Sequence, residues 1–130
     1  MSLPTVKQWI SVLETSGLIF ILPPYFNNFS KRLVKTPKIY FADTGVLCHL
    51  LSIRNVEHLK AHPLLGGIFE NFMISECYKR FYNLGEIPPL YFWRDQSGHE
   101  IDLLIHSGLQ SFPIELKLSQ SFHSEFKKGI

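Results

Sequence analysis

The period of the apolar positions changes several times along the chain, and each change marks an element. Between residues 5 and 16, Val6, Trp9, Ile10 and Leu13 recur at helical spacing, with Thr5 able to cap the helix and Gly17 able to end it. The runs LIFIL (18 to 22) and KIYFAD (38 to 43) are strand-like, and between them lie Pro-Pro, Asn-Asn and the basic residues Lys31, Arg32, Lys35 and Lys38. A helix followed by a two-stranded wing is the second half of a winged-helix unit. Asp43 and Thr44 can cap a short helix through Leu51, and SIRNVEHLKAHP reads as a connector that closes at Pro63. A longer helix follows over 64 to 85, with Ile68, Phe69, Phe72, Met73 and Cys77 as its apolar side and Gly85 as its stop. Three strands come next, PLYFWRD (89 to 95), EIDLLI (100 to 105) and FPIELKL (112 to 118), and SQSFHSEFKKGI begins a further helix.

The expected architecture is therefore α/β (α+β). A partial winged-helix element occupies 3 to 52 and a connector 53 to 61, followed over 62 to 130 by a module of one helix, three strands and a truncated second helix. The opening MSLPTVKQWI starts a helix almost at once and HSEFKKGI stops in mid-pattern, so the chain reads as a piece of a longer protein.

The last two strands carry an unusual polar face. Side chains alternate along a strand, so Ile101, Leu103 and Ile105 share one side and Glu100 and Asp102 the other. In the next run Ile114, Leu116 and Leu118 share a side, leaving Glu115 and Lys117 together. The short Gly-containing loop Ser107 to Gln110 suits a hairpin closed by His106 and Ser111. That register sets Asp102 opposite Glu115 and Glu100 opposite Lys117. Two carboxylates facing each other cost energy unless a positive group sits between them.

Composition narrows the function classes. The chain has 130 residues, 45% of them hydrophobic, enough for a real core. With 13 Lys+Arg against 11 Asp+Glu its formal charge is +2, too balanced to announce a nucleic-acid partner without local clustering. Cys48 and Cys77 lie in apolar helical patterns without ligand spacing, which predicts reduced core thiols rather than a disulfide or zinc site. The longest apolar run, GLIFILPPYF, is short and broken by Pro23 and Pro24, so no membrane span is expected and the reading is soluble and cytoplasmic.

Two acidic side chains can hold a hard divalent cation such as Mg²⁺ or Mn²⁺, which activates water and offsets phosphate charge. A lysine two residues from the acid points the same way and can stabilise a transition state. The arrangement of Glu70 on a helix, Asp102 on a second strand and Glu115-x-Lys117 on a third resembles the PD-(D/E)xK nuclease superfamily. The resemblance implies a restriction-endonuclease-like core with Asp102, Glu115 and Lys117 as catalytic residues. It also implies a metal held by Asp102, Glu115, Glu70 and the backbone carbonyl of Leu116.

A wider likeness runs through KRLVKTPKIYFADTGVLCHLL, HPLLGGIFENFMISE, LYFWRDQSGHEIDLLI and PIELKLS. These stretches look like the uncharacterised C-terminal domain of prokaryotic AAA-type P-loop ATPases. That likeness implies an upstream ATPase module, where ATP would bind. No Gly-x-x-x-x-Gly-Lys-Ser/Thr loop occurs in this chain, so no ATPase activity is expected from it.

The rival reading is a non-catalytic domain that binds DNA or a protein partner and regulates the ATPase. An alternating charged strand is also how a plain solvated face looks. Lys31, Arg32, Lys35 and Lys38 could reach DNA phosphates or could simply be a solvated hairpin. Apolar surface at the cut ends would favour a homo-oligomer. Phe69, Phe72, Phe81, Tyr91, Phe92 and Trp93 read as core, with Trp93 able to flank the site, and His99 as a group that could support Asp102.

Overall fold

The computed structural model of the protein describes residues 1–26 and 36–119. It is a mixed α+β fold with helices and two small antiparallel sheets. Helix α1 spans Leu3–Thr15. Its cap is Ser2, whose side chain accepts from the Thr5 N–H; Thr5 itself is inside the helix, because Pro4 occupies the first turn where a missing N–H is harmless. At the other end Gly17 adopts φ 78°, and the N–H groups of Leu18 and Gly17 return to the carbonyls of Leu13 and Glu14. This left-handed cap closes the helix as expected.

Strands β1 (Ile19–Leu22) and β2 (Lys38–Phe41) form the two-stranded sheet. Helix α2 (Thr44–Leu50) starts at Asp43, whose carboxylate accepts from the Val46 N–H, so the expected cap is present. The stretch expected to be a bare connector contains helix α3 (Val56–Ala61), capped by Asn55. Six residues are too few to display a helical period, which is why only the cap signals it. Helix α4 runs over Leu65–Asn83, and Gly85 at φ 75° ends it by the same left-handed device as Gly17.

Strands β3 (Leu90–Arg94), β4 (Glu100–Ser107) and β5 (Gln110–Ile114) form an antiparallel meander in that order. The β4–β5 register, Leu103 to Ile114 through Ser107 to Gln110, is the one expected from the hairpin loop. Two features differ from simple alternation. The β3–β4 register shifts between Tyr91 and Trp93, so Asp102 and Leu103 together span the step that Phe92 takes alone. In addition β5 ends at Ile114, because the next ladder position is taken by a side chain: Asp102 Oδ2 accepts from the Leu116 N–H at 2.8 Å. Pro113 is tolerated because β5 is an edge strand.

The chain divides into two compact units, Met1–Ile21 with Ile39–Ser75, and Leu22–Lys38 with Glu76–Ile130. In the first, Ile19, Phe20, Tyr40, Ile68 and Ile74 are buried, with the Phe20 and Tyr40 rings stacked 5.7 Å apart. In the second the core is Leu22, Leu90, Phe92, Leu103 and Leu104. Of the aromatics expected in the core, Phe92 is buried; Phe69, Phe81, Tyr91 and Trp93 are half-buried and Phe72 is exposed. The buried residues of α4 are Ile68, Asn71, Ile74 and Ser75, so two polar residues stand where Phe72 and Met73 were expected. Cys48 and Cys77 are half-buried free thiols; burial, and then the neighbouring Glu76, push the Cys77 thiol above its ordinary pKa. The expected onset of a helix after Ser119 lies almost wholly outside the described residues. Among those residues no helix is long and apolar enough to cross a membrane.

Candidate functional site

In the second unit the meander gathers most of the singled-out residues. Asp102 sits at the register shift of β4, and its bond to the Leu116 N–H pins the segment that follows β5. Glu115 and Lys117 lie in that segment, and Lys117 Nζ stands 2.7 Å from Glu115 Oε1. The hydrogen bond that Lys117 donates to Glu115 holds its ammonium above its ordinary pKa against some desolvation, with further support from the charges of Glu115, Asp102 and Glu100. Asp102, Glu115, Leu116 and Lys117 are therefore one cluster.

The remaining Glu115 oxygen, Oε2, is buried without a hydrogen-bond partner among the described residues. A buried acceptor left over in this way is costly unless water or a positive group completes it. Asp102 and Glu115 supply carboxylate oxygen of the kind that hard divalent cations prefer. Among the described residues no group of three or more His, Cys, Asp and Glu side chains is arranged to hold a metal. A cation here would thus complete its shell with a backbone carbonyl and water, a habit of Mg²⁺. The donor set fits on those terms.

Glu70 belongs to the first unit, where Tyr40 donates a 2.5 Å hydrogen bond to its Oε1. Of the basic group, Lys31, Arg32 and Lys35 lie outside the described residues. Lys38 pairs with Glu100 Oε1 and stands 5.2 Å from the centroid of the Phe92 ring. His99 does not serve Asp102: its N–H and Nδ1 bind Asp95 at 2.9 and 2.8 Å across the β3–β4 turn. Desolvation opposes it, but these bonds hold Asp95 below the ordinary carboxylate range.

Sequence reasoning missed the role of Glu100. One of its oxygens takes Lys38, and the other takes Arg94 Nε at 3.1 Å and Nη2 at 2.7 Å. Burial would raise its pKa, yet the hydrogen bonds and charges of Lys38 and Arg94 leave it below the ordinary range. The Arg94–Glu100 half was readable, since the two residues flank the tight β3–β4 turn symmetrically. The Lys38 half joins positions far apart in sequence and left no local signal.

Two family models match the chain, each described as a domain of unknown function: DUF8612 over residues 1–57 and DUF4143 over residues 65–130. The chain belongs to the DUF4143 family. That domain is often found with AAA ATPases. Two mycobacterial relatives, "Uncharacterized protein Mb2031c" of Mycobacterium bovis and "Uncharacterized protein Rv2008c" of Mycobacterium tuberculosis, are each 33% identical over 113 residues. The alignment takes in 87% of this chain but 25% of each relative, so the chain spans about a quarter of their length. No solved structure matches.

Proposed function

We propose that residues 62–130 of this DUF4143 protein form a PD-(D/E)xK nuclease-like module that cleaves phosphodiester bonds of nucleic acid with a divalent metal. In this reading α1 with the β1–β2 sheet is the second half of a winged helix, and the whole works with an AAA-type ATPase. The family's frequent association with such ATPases supports that last part. The observation that carries the proposal is the convergence of Asp102, Glu115 and Lys117, with Glu115 Oε2 buried and unmatched among the described residues.

Asp102 and Glu115 would hold Mg²⁺ or Mn²⁺, with the Leu116 carbonyl as a further ligand. When bound, the ion supplies a Lewis acid for the phosphate and lowers the pKa of water. The Asp102 bond to the Leu116 N–H fixes the backbone between the acid and the lysine. Lys117, kept protonated by Glu115, is suited to act as a fixed positive charge beside developing anionic oxygen, not as a base.

A nuclease-derived binding module that regulates an ATPase is the second reading. The Lys117–Glu115 ion pair favours it, since an ammonium already occupies one carboxylate oxygen. Titration calorimetry of the full-length protein with Mn²⁺, repeated on Asp102→Asn, and a cleavage assay with Lys117→Ala separate the two. Binding lost with Asp102→Asn and cleavage reduced roughly 100-fold or more with Lys117→Ala is expected for an enzyme. Binding without cleavage would leave the module as a binder, and no Mn²⁺ binding in the wild type would sink the metal-dependent reading.

A further inference from the structure

The ion pair in the candidate site is built unevenly. Lys117 Nζ donates to Glu115 Oε1 at 2.7 Å, yet the lysine side chain is 48% exposed and the glutamate side chain 20%. The carboxylate is therefore held in the protein and the ammonium stands at its edge. The main chain between them is tied down separately, because Asp102 Oδ2 accepts from the Leu116 N–H at 2.8 Å. That bond fixes one acid to the backbone that carries the other, and the long stem of Lys117 can swing without disturbing it. The second Glu115 oxygen, Oε2, is buried with no hydrogen-bond partner among the described residues, so the ammonium completes only half of this carboxylate.

We propose that Lys117 is a displaceable counter-ion, which pairs with Glu115 until a divalent cation held by Asp102 and Glu115 drives it off and frees it for a nucleic-acid phosphate. The inference rests on the nuclease-like reading and adds the regulation of that site. An ammonium and a divalent ion on one carboxylate repel each other at close range, and the weaker bond yields. A half-exposed ion pair contributes little net stability, because water and salt screen it and a long side chain is ordered to make it. A divalent ion gains more from the same group, since Glu115 Oε2 offers an acceptor that Lys117 leaves unmet. The released lysine needs no new partner in the protein, because its exposed side chain already reaches water. A substrate phosphate then takes the place of Glu115 as its partner. Lys117 thus lowers the affinity for the ion, and only the metal-loaded site presents the lysine to substrate.

The test is Mn²⁺ titration calorimetry on the full-length protein, comparing wild type with Lys117→Met and Lys117→Arg, with a urea midpoint for each to show that it folds. Loss of the competing charge should tighten the Mn²⁺ Kd of Lys117→Met about three- to tenfold. Lys117→Arg keeps a cation on Glu115 and should bind Mn²⁺ no more tightly than wild type. Lys117→Met should lose cleavage while it gains metal, a split that a lysine serving only the fold would not produce. Where Lys117→Met does not fold, Lys117→Gln replaces it with the same expectation. Equal or weaker Mn²⁺ binding by the neutral variant overturns the proposal and leaves the metal-dependent reading standing, since the ion would then share Glu115 with the lysine. Tightening in Lys117→Arg as well would trace to the shape of the side chain rather than its charge, and would equally overturn it. Mn²⁺ binding by neither wild type nor the neutral variant removes the metal-dependent reading and this inference with it.

Discussion

The two units treat buried polar groups in opposite ways. In the first, Asn71 is 3% exposed and fully engaged: its Oδ1 accepts from the Phe41 N–H at 2.8 Å, and its Nδ2 donates to the Phe41 carbonyl at 3.0 Å and to Thr44 Oγ1 at 3.2 Å. One amide therefore completes the backbone where β2 leads into α2. In the second unit Glu115 is half-buried; one of its oxygens is matched by Lys117, and the other, itself buried, by nothing among the described residues. A buried group with every atom paired is explained by the fold that it serves. A buried group with an atom to spare is not, and function is the more economical reason for keeping it.

The comparison is broken most severely at Asn71. Asn71→Leu keeps the side-chain volume but orphans the Phe41 N–H and carbonyl and the Thr44 hydroxyl. Leaving such groups unmatched should cost about 3 kcal/mol of unfolding free energy, read as a fall in the urea midpoint with the slope unchanged. A loss below about 1 kcal/mol would mean that water replaces the amide, and that complete pairing in the first unit is not what stabilises it. Mn²⁺ binding, if present in the wild type, should survive the substitution.

The same contrast explains what could be read in the sequence. The hairpin register of β4 and β5 follows from alternation and a short Gly-containing loop, both local, and it places Asp102 near Glu115 before any coordinates are known. The register shift at Asp102 and Leu103 has no such signal, because no Gly or Pro marks it and the compensating bond comes from the Leu116 N–H, fourteen positions on. For α4 the apolar pattern pointed to Phe72 and Met73, whereas the buried stripe includes Asn71 and Ser75. A hydrophobicity rule cannot foresee a polar residue that is buried because strand backbone elsewhere needs it. Glu70 was grouped with the acids by family likeness, and its bond to Tyr40 is invisible to spacing alone.

A smaller effect is expected at Glu100, which stands between the two cases, since both of its oxygens are paired but one partner, Arg94, is 43% exposed. Glu100→Gln should cost about 1 to 2 kcal/mol, discounted from a fully buried pair because solvent screens Arg94. The pH dependence has a definite sign. The folded-state pKa of Glu100 lies below its ordinary value, so its contribution is fully present above the ordinary glutamate range. That contribution is lost as pH falls through the folded value. Wild type should therefore lose stability faster than Glu100→Gln on acidification below about pH 4, and parallel denaturation midpoints across that range would show that the Lys38 and Arg94 pairs contribute nothing.

The smallest stability change, and the one that sharpens the comparison, is expected at Glu115. Glu115→Gln removes an ion pair whose lysine is 48% exposed, worth about 0 to 1 kcal/mol after screening. It also removes the charge from a carboxylate whose Oε2 is buried unmatched, a relief of opposite sign. The two terms offset, and the urea midpoint should move by less than about 1 kcal/mol in either direction. Affinity for Mn²⁺ should fall at the same time, because the neutral amide oxygen is a weaker ligand for a hard cation. Stability kept with metal affinity lost is the signature of a residue retained for binding. A loss of stability as large as that of Asn71→Leu would place Glu115 with Asn71 instead, as a group serving the fold, and the unmatched oxygen would then have no ligand to explain it.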